Sequence, residues 1–317
     1  MRAVARNSVS PLPPKAATTA AEAYNDVGDD YLAYADGDPR QIYAFGGQYA
    51  YGDRYLWSVL DSKLTALRAT GATSINILDA GCGPGTWLRR LVTRARALGF
   101  TDIRARGFDV ADAQIRRARD HARALQDLAG VDLRFEVADI GQPFPEPDAS
   151  VDLTLCLYCV LNHLPDEVLP NVVGEIARVT RGAFVTTVRA VGSSPTIYVE
   201  GIDQARTFRQ DHASGRFQVE LQDGRRMTFN SRLYAAADLR GLVNPYLDVE
   251  AVRGLDLFHT RFAHDPRWNP SWLADNNGFR NELVRLEEQY GSDPDFIDHA
   301  AHLLLVARAR PALADRH

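Results

Sequence analysis

The residues best suited to chemistry in this sequence lie in the stretch 79–85, which reads DAGCGPG. A β-branched apolar run over 74–78 precedes it and apolar residues at helical spacing follow it, so it is predicted to be a tight turn between a buried strand and a helix. Glycines at 81, 83 and 85 have no Cβ atom and let the turn backbone approach a ligand closely. The carboxylate of Asp79, just before the turn, suits a cation.

The spacing of the glycines separates this turn from the phosphate-binding turn of dinucleotide enzymes. That turn reads G-x-G-x-x-G and directs a helix N-terminus at a pyrophosphate, whereas this one reads G-x-G-x-G after an aspartate. The string resembles motif I of the class I S-adenosylmethionine-dependent methyltransferases, in which the acidic residue lies near the methionine ammonium group of the cofactor. The resemblance implies S-adenosylmethionine as the cofactor, bound by Asp79, Gly81, Gly83 and Gly85.

Two further aspartates follow the next two predicted strands, 103–108 and 133–138. Asp109 lies about one βαβ unit beyond the turn, so its carboxylate is placed at the carboxyl edge of the second strand, where it can accept hydrogen bonds from a ribose diol. Val110, directly after it, is placed at the cofactor as well. Asp139 and Ile140 resemble the family's adenine contact, which is made through an acidic side chain and the backbone that follows it.

The segment after the fourth predicted strand, 151–157, should face the reacting end of the substrate. It carries the candidate catalytic residues Tyr158, Asn162 and His163, and Tyr158 is also a candidate cofactor contact. His163 has two interpretations: a general base, since histidine titrates near neutrality, or a histidine at a helix start that is bonded to backbone.

No metal site is predicted. Cys156 and Cys159 form a C-x-x-C pair, but Cys156 falls in a predicted buried strand, where cysteine behaves as a small hydrophobe, and the chain has no second cysteine pair for tetrahedral zinc. His259 and His264 have no carboxylate or cysteine at a diagnostic helical spacing.

Composition narrows the class of protein. A chain of 317 residues can form one large α/β domain with insertions or two smaller ones. The formal net charge of -5 argues against a nucleic-acid partner, and no apolar run approaches the roughly 20 residues of a membrane span. Three cysteines and no apolar N-terminal signal region predict a cytoplasmic protein. With nucleic acid and membrane excluded, the expected partner is a small-molecule substrate.

Apolar periodicity predicts the elements that must position these residues. Residues 1–20 are expected to be a disordered leader and 21–69 a helical cap, with a leucine-faced helix over 53–69. The tyrosines of the cap either pack it onto the core or form a lid over the cofactor, as the N-terminal helices of related methyltransferases often do. Tyr31 is therefore a further candidate cofactor contact. The core, 70–190, holds five strands with right-handed crossovers.

The C-terminal part is predicted to complete the same domain, which spans 21–310. A hairpin with an Asp-Gly turn is expected within an insertion over 191–232. The family resemblance implies a seventh strand, 302–308, antiparallel between the fifth and sixth strands of a mostly parallel, seven-stranded α/β/α sandwich. A second insertion, 259–298, is a substrate-pocket wall, a packing layer or an oligomer contact.

The resemblance implies methyl transfer to a small metabolite. The string LNHLP at 161–165 departs from the Asn/Asp-Pro-Pro-aromatic string that many nucleic-acid methyltransferases of this fold carry there, which favours a metabolite acceptor. Two alternatives stay open. One is an enzyme of this fold that consumes S-adenosylmethionine by cyclisation or 3-amino-3-carboxypropyl chemistry and releases methylthioadenosine; the other is a non-catalytic module that binds the cofactor.

Overall fold

The computed structural model describes residues 42–43, 45, 49–193, 205–211, 213–222, 224, 226–259 and 277–310. The predicted leader, most of the predicted cap including Tyr31, and residues 260–276 of the second insertion, with His264, lie outside the described residues.

Ten strands are present in the described chain: β1 (Ser74–Ala80), β2 (Asp102–Asp109), β3 (Val131–Val137), β4 (Val151–Cys156), β5 (Thr180–Arg189), β6 (Ala205–Asp211), β7 (Arg216–Leu221), β8 (Arg226–Asn230), β9 (Asp248–Leu255) and β10 (His302–Arg308). Seven of them form one sheet in the order β3-β2-β1-β4-β5-β10-β9. The pairs from β3 to β5 are parallel, and β10 is antiparallel to both of its neighbours. The predicted fold class is confirmed.

The sheet is apolar on both faces, as a sheet covered by helices on both sides must be. In β1, Ile75 and Ile77 belong to the core on one face, whereas Leu78 and Ala80 belong to the core on the other. This alternation follows from the two-residue period of a strand. The short strand β10 reads HLLLVAR, and its first six residues are buried, which explains why it lies inside the sheet rather than at its edge.

Helices cover the two faces of the sheet: α1 (Ala50–Ala69), α2 (Thr86–Ala97), α3 (Asp112–Gln126), α4 (Leu169–Val179), α5 (Ala236–Val243) and α6 (Asn277–Tyr290). Helices α1 to α3 contribute to one core, and α4 and α5 contribute to the other. In α1, the buried leucines Leu56, Leu60 and Leu64 recur every four residues and hold the helix against the sheet. None of the described helices is both long enough and apolar enough to cross a membrane.

The first insertion forms a separate sheet of three strands, β6-β7-β8, with antiparallel pairing. The predicted hairpin is its β7–β8 pair. Strand β6 was not predicted, because its sequence ARTFRQD does not alternate apolar and polar residues. This sheet is tied to the core beside the candidate catalytic segment, where the Arg232 N–H donates to the Asn162 carbonyl at 2.8 Å.

Candidate functional site

The turn between β1 and α2 has the backbone that the glycine spacing predicted. Gly81, Gly83 and Gly85 have φ angles of 82°, 51° and 78°, all in the left-handed region that favours glycine. The N–H groups of Gly81 and Cys82 donate to the Phe108 carbonyl at 2.8 and 2.9 Å, which fixes the turn to the end of β2.

Two of these glycines are also required by packing within the protein. A Cβ atom on Gly81 would lie 2.3 Å from Val160, and one on Gly85 would lie 2.7 Å from Phe135. Either contact is shorter than a Cβ atom tolerates, so the turn could not keep its position with larger residues there. The sequence predicts the conformational freedom of these glycines and their closeness to a ligand, but not this packing.

The carboxylates of Asp79 and Asp109 lie at the carboxyl ends of neighbouring strands but have different environments. Asp109 Oδ2 accepts the Gly83 N–H and Oδ1 accepts the Ala111 N–H, each at 2.9 Å. Asp79 is 2% exposed, and its Oδ1 has no hydrogen-bond partner in the part of the chain that the structure describes. Burial, and then the charge of Asp109, raise the pKa of Asp79 to about 7. Burial also raises the pKa of Asp109, while its bonds from backbone N–H groups oppose the rise.

Asp139 and Ile140 continue the same edge. The Ala138 N–H donates to the Asp109 carbonyl at 3.0 Å, so the chain after β3 lies directly beside the end of β2. Asp139 Oδ1 accepts the Gly141 N–H at 2.8 Å and shapes the loop that follows. The structure therefore brings Asp79, Asp109 and Asp139 to one edge, in the order in which their strands lie.

The chain after β4 is strained at two positions. Tyr158 and Cys159 have φ angles of 50° and 72°, which non-glycine residues seldom adopt and which cost on the order of 1–3 kcal/mol each. Strand β5 holds this conformation: the Tyr158 N–H donates to Thr187 Oγ1 at 2.7 Å, and the Cys159 N–H donates to the Thr187 carbonyl at 3.3 Å. Such strain is frequent at active sites, where a side chain must be directed against local preference.

The Tyr158 side chain is held from three directions. Its ring stacks on Trp87 with centroids 6.0 Å apart, and it meets the His302 ring edge-on at 5.7 Å. Its hydroxyl donates to the carboxylate of Asp53, in the first turn of α1. Burial raises the pKa of both groups, most strongly that of the Tyr158 phenol, which the negative charge of Asp53 raises further. Sequence reasoning missed Asp53, since it is one of many acidic residues in the cap.

Asn162 and His163 lie in a short 3-10 helix and bond to backbone. Asn162 is fully buried; its amide donates to the carbonyls of Arg189 and Arg232, and its Oδ1 accepts the Arg189 N–H at 3.1 Å. His163 Nδ1 lies 2.7 Å from the Asn230 carbonyl, which can only accept, so Nδ1 carries a proton. Burial lowers the pKa of His163, so the ring is neutral at pH 7. Both side chains join the core to the inserted sheet.

The described part of the cap lies against α2 and β10. Phe45 stacks on Trp87 at 6.2 Å, and the Arg90 guanidinium lies 4.5 Å above the Trp87 ring and 4.8 Å above Phe45. Tyr49 meets the ring of His302 edge-on at 4.9 Å. Burial, and then Arg189, lower the pKa of His302 to about 3, so it is a neutral aromatic wall at pH 7. Phe45 and Tyr49 therefore pack against Trp87 and His302, the two rings that contact Tyr158.

Buried carboxylates hold helix α1 at the β9 edge of the sheet. Asp256, just after β9, accepts the Gly52 N–H at 3.0 Å, and a Cβ atom on Gly52 would lie 2.3 Å from Asp256 Oδ2. Glu287 of α6 accepts three consecutive N–H groups, from Leu257, Phe258 and His259, at 2.8 to 3.0 Å. These contacts fix the position of the first turn of α1, which carries Asp53.

Comparisons with known proteins agree with this geometry. A family model described as a methyltransferase domain matches residues 77–182, which include the turn and all three aspartates. No curated protein sequence matches the chain.

Many solved structures share the fold at low identity. The (4+2)-cyclase SpnF is 20% identical with a TM-score of 0.54, and the match covers 96% of this chain and 100% of SpnF. Geranyl diphosphate C-methyltransferase from Streptomyces coelicolor A3(2), solved with Mg²⁺, geranyl diphosphate and S-adenosyl-L-homocysteine, is 16% identical with a TM-score of 0.50 over 95% of this chain and 100% of that one. DhpI, solved with SAH, has 15% identity and a TM-score of 0.50 over 95% and 100%.

Proposed function

Since the chain carries the methyltransferase domain and the fold of the class I S-adenosylmethionine-dependent methyltransferases, we propose that it transfers the methyl group of that cofactor to a small-molecule acceptor. The observation that carries this proposal is the buried oxygen of Asp79, which has no hydrogen-bond partner among the described residues and lies at the edge of the glycine turn. A buried carboxylate oxygen without a donor is costly unless a ligand supplies one.

The residues at this edge fit S-adenosylmethionine, the cofactor of the domain. The cofactor has an ammonium group, which suits the carboxylate of Asp79. Each oxygen of Asp109 accepts one bond from backbone and has a further lone pair for a ribose hydroxyl. We assign Asp139 and Ile140 to the adenine and Val110 to the ribose. We assign the backbone of the turn at 81–85 to the methionine portion, since glycine lets a backbone approach a ligand closely.

When bound, the cofactor supplies a methyl group already activated by the sulfonium. The protein has to hold an acceptor in line with that methyl group and exclude water. Tyr158 is the best placed side chain for this purpose, because it is half-buried, its backbone is strained and its ring contacts Trp87 and His302. We assign the Tyr158 hydroxyl to contact the acceptor, with Asp53 as the residue that positions the hydroxyl.

Two observations support a small acceptor. The net charge of -5 gives no basis for binding a polyanion. The aromatic side chains around Tyr158 are buried or half-buried, as in pockets for small molecules. The Streptomyces coelicolor enzyme that shares this fold was solved with geranyl diphosphate, a small molecule, which is consistent with this class of acceptor.

A second candidate function is a reaction without methyl transfer on the same fold. It is favoured by one observation: among the comparisons reported, the (4+2)-cyclase SpnF has the highest TM-score, 0.54. In that case the cofactor site would be retained and no methyl group would leave the cofactor.

The experiment that tests the proposal supplies the protein with S-adenosylmethionine labelled in its methyl group, together with a metabolite extract. The proposal predicts label in an organic product that forms only with active protein, and no transfer by the Gly83→Val variant. Cofactor binding without label in any product would support the second candidate instead.

We expect Tyr158→Phe to lower kcat for the acceptor found in the extract by about 10- to 100-fold, because it removes the hydroxyl but keeps the ring between Trp87 and His302. The Kd for S-adenosylhomocysteine should change little. Asp53→Asn should reproduce part of the loss in kcat. An unchanged kcat in Tyr158→Phe would exclude the hydroxyl from the reaction.

We expect His163→Gln to act on stability more than on turnover. Its Nδ1 bond to the Asn230 carbonyl joins the core to the inserted sheet, and its loss should lower the melting temperature by about 1–3 °C, corresponding to about 1 kcal/mol. Turnover should stay within about threefold of wild type. A loss of 100-fold or more with normal cofactor affinity would instead identify His163 as the general base.

A further inference from the structure

The two carboxylates at the glycine turn lie at the ends of neighbouring strands, Asp79 buried and Asp109 half-buried, and the described protein contacts stabilise only Asp109 as an anion. Both oxygens of Asp109 accept N–H groups from the backbone of Gly83 and Ala111. Hydrogen bonds from such donors favour the charged form of a carboxylate. The negative charge of the pair therefore resides on Asp109.

Asp79 has the opposite environment. It is 2% exposed, and none of the described residues donates a hydrogen bond to its Oδ1. Its partners across the sheet are Gly107 in β2 and Leu155 in β4, neither of which has a charge. Two carboxylates in one site of low polarity do not both ionise readily, since the second charge is opposed by burial and by the first charge.

Among the described residues, the other titratable groups around Asp79 do not compensate its charge. The thiols of Cys82 and Cys156 have raised pKa values through burial and through the charge of Asp79, so both are neutral. Arg106 is the cation that acts on Cys82, and its guanidinium is bonded to Glu136 at 3.0 Å and to Glu146 at 2.9 Å. Asp109 is the remaining group that acts on Asp79.

We infer that Asp79 is a neutral carboxylic acid in the free protein near pH 6 and that it releases its proton to solvent when the ammonium group of the cofactor binds. The proton leaves the carboxyl group, the carboxylate stays, and the ammonium becomes its ion-pair partner, so charge balances. This inference rests on the proposed cofactor site. It adds that the site recognises its ligand by proton exchange, and that a nucleoside without an ammonium group leaves Asp79 protonated.

The sign of the pH dependence follows from the raised pKa. Because the complex requires the ionised carboxylate and the free group titrates with a pKa of about 7, affinity should fall as pH falls below 7. Between pH 8 and pH 6 the expected loss is about tenfold. At pH 6, binding should release about nine-tenths of a proton.

The test is calorimetry at pH 6 in buffers that differ in ionisation enthalpy, with S-adenosylhomocysteine, S-adenosylmethionine and methylthioadenosine as ligands. We expect proton release with the first two, which have the ammonium group, and none with methylthioadenosine, which lacks it. Asp79→Asn, which has the shape of the neutral acid, should bind S-adenosylhomocysteine without proton release and should lose the difference in affinity between pH 6 and pH 8 that wild type shows.

Each other result contradicts a defined part of the inference. Binding of S-adenosylhomocysteine without proton release would overturn the inference and leave the cofactor site intact. Release with S-adenosylmethionine alone would show that Asp79 recognises the sulfonium and would overturn the ammonium assignment. No binding of either ligand would overturn the cofactor site itself.

A second measurement needs no ligand. At pH values between the ordinary aspartate pKa and about 7, Asp79 is protonated in the folded wild-type protein and ionised in the unfolded chain. Stability from this group therefore declines as pH rises through that range. The melting temperature of Asp79→Asn relative to wild type should increase from pH 5 to pH 7; a constant difference would contradict the inference.

Discussion

Replacing Gly83 with valine is expected to weaken the binding of S-adenosylhomocysteine by more than about 100-fold. Gly83 has a φ angle of 51°, and its N–H donates to Asp109 Oδ2 at 2.9 Å. A β-branched residue does not adopt this conformation readily, so the turn would move and take the N–H group away from Asp109. A branched side chain would also occupy space above the turn, where the ligand approaches. Titration calorimetry with S-adenosylhomocysteine measures the effect.

The matched control for this variant is Gly71→Val. Gly71 has a φ angle of 90°, and a Cβ atom there would meet nothing within 4 Å. The residue precedes the start of β1, whereas the glycine turn follows the end of that strand. We expect this control to lose stability through backbone strain and to bind S-adenosylhomocysteine as wild type does. Wild-type affinity for S-adenosylhomocysteine in both Gly83→Val and Gly71→Val would show that the turn is not part of the cofactor site.

Asp109→Ala is expected to weaken cofactor binding by about 10- to 150-fold, or roughly 1.5–3 kcal/mol. The substitution removes the acceptor for the ribose hydroxyls. It also frees the N–H groups of Gly83 and Ala111, so the turn loses the partner that orders it. The melting temperature should fall as well, because those two donors lose their carboxylate.

Asp112→Ala is the control for this second effect. Asp112 lies three residues further along, is exposed, and pairs with Arg116 on the surface of α3. Its loss should leave both cofactor affinity and melting temperature near wild type, since exposed pairs contribute little. Equal affinity in Asp109→Ala and Asp112→Ala would contradict the ribose assignment.

The cofactor half of the fold could be predicted from the sequence because its signals are local. The glycine turn, the strand that ends at Asp109 and the apolar strand β10 each depend on residues within a few positions of one another, and all three are present in the structure. The position of β10 in the sheet came from the family resemblance, since pairing between distant strands leaves no local pattern. The extra strand β6 was missed for lack of apolar alternation.

The acceptor half could not be predicted from local patterns because its contacts join distant parts of the chain. Asp53 and Tyr158 are 105 residues apart, and Gly52 and Asp256 are 204 residues apart. The local sequence does not indicate which strand end an aspartate in the aromatic-rich cap will contact. The packing role of Gly81 was also hidden, since it depends on where Val160 lies in the folded chain.

The measurement that tests the central claim most directly is identification of the nucleoside that remains after turnover. The protein is incubated with S-adenosylmethionine and the acceptor fraction of the metabolite extract, and the nucleosides are separated and weighed by mass spectrometry. Methyl transfer leaves S-adenosylhomocysteine, in an amount equal to the methylated acceptor. The account predicts this product, its loss in Gly83→Val, and no turnover without acceptor. Methylthioadenosine formed in the absence of acceptor, above the uncatalysed rate, would contradict methyl transfer, because the bond broken would lie on the other side of the sulfur.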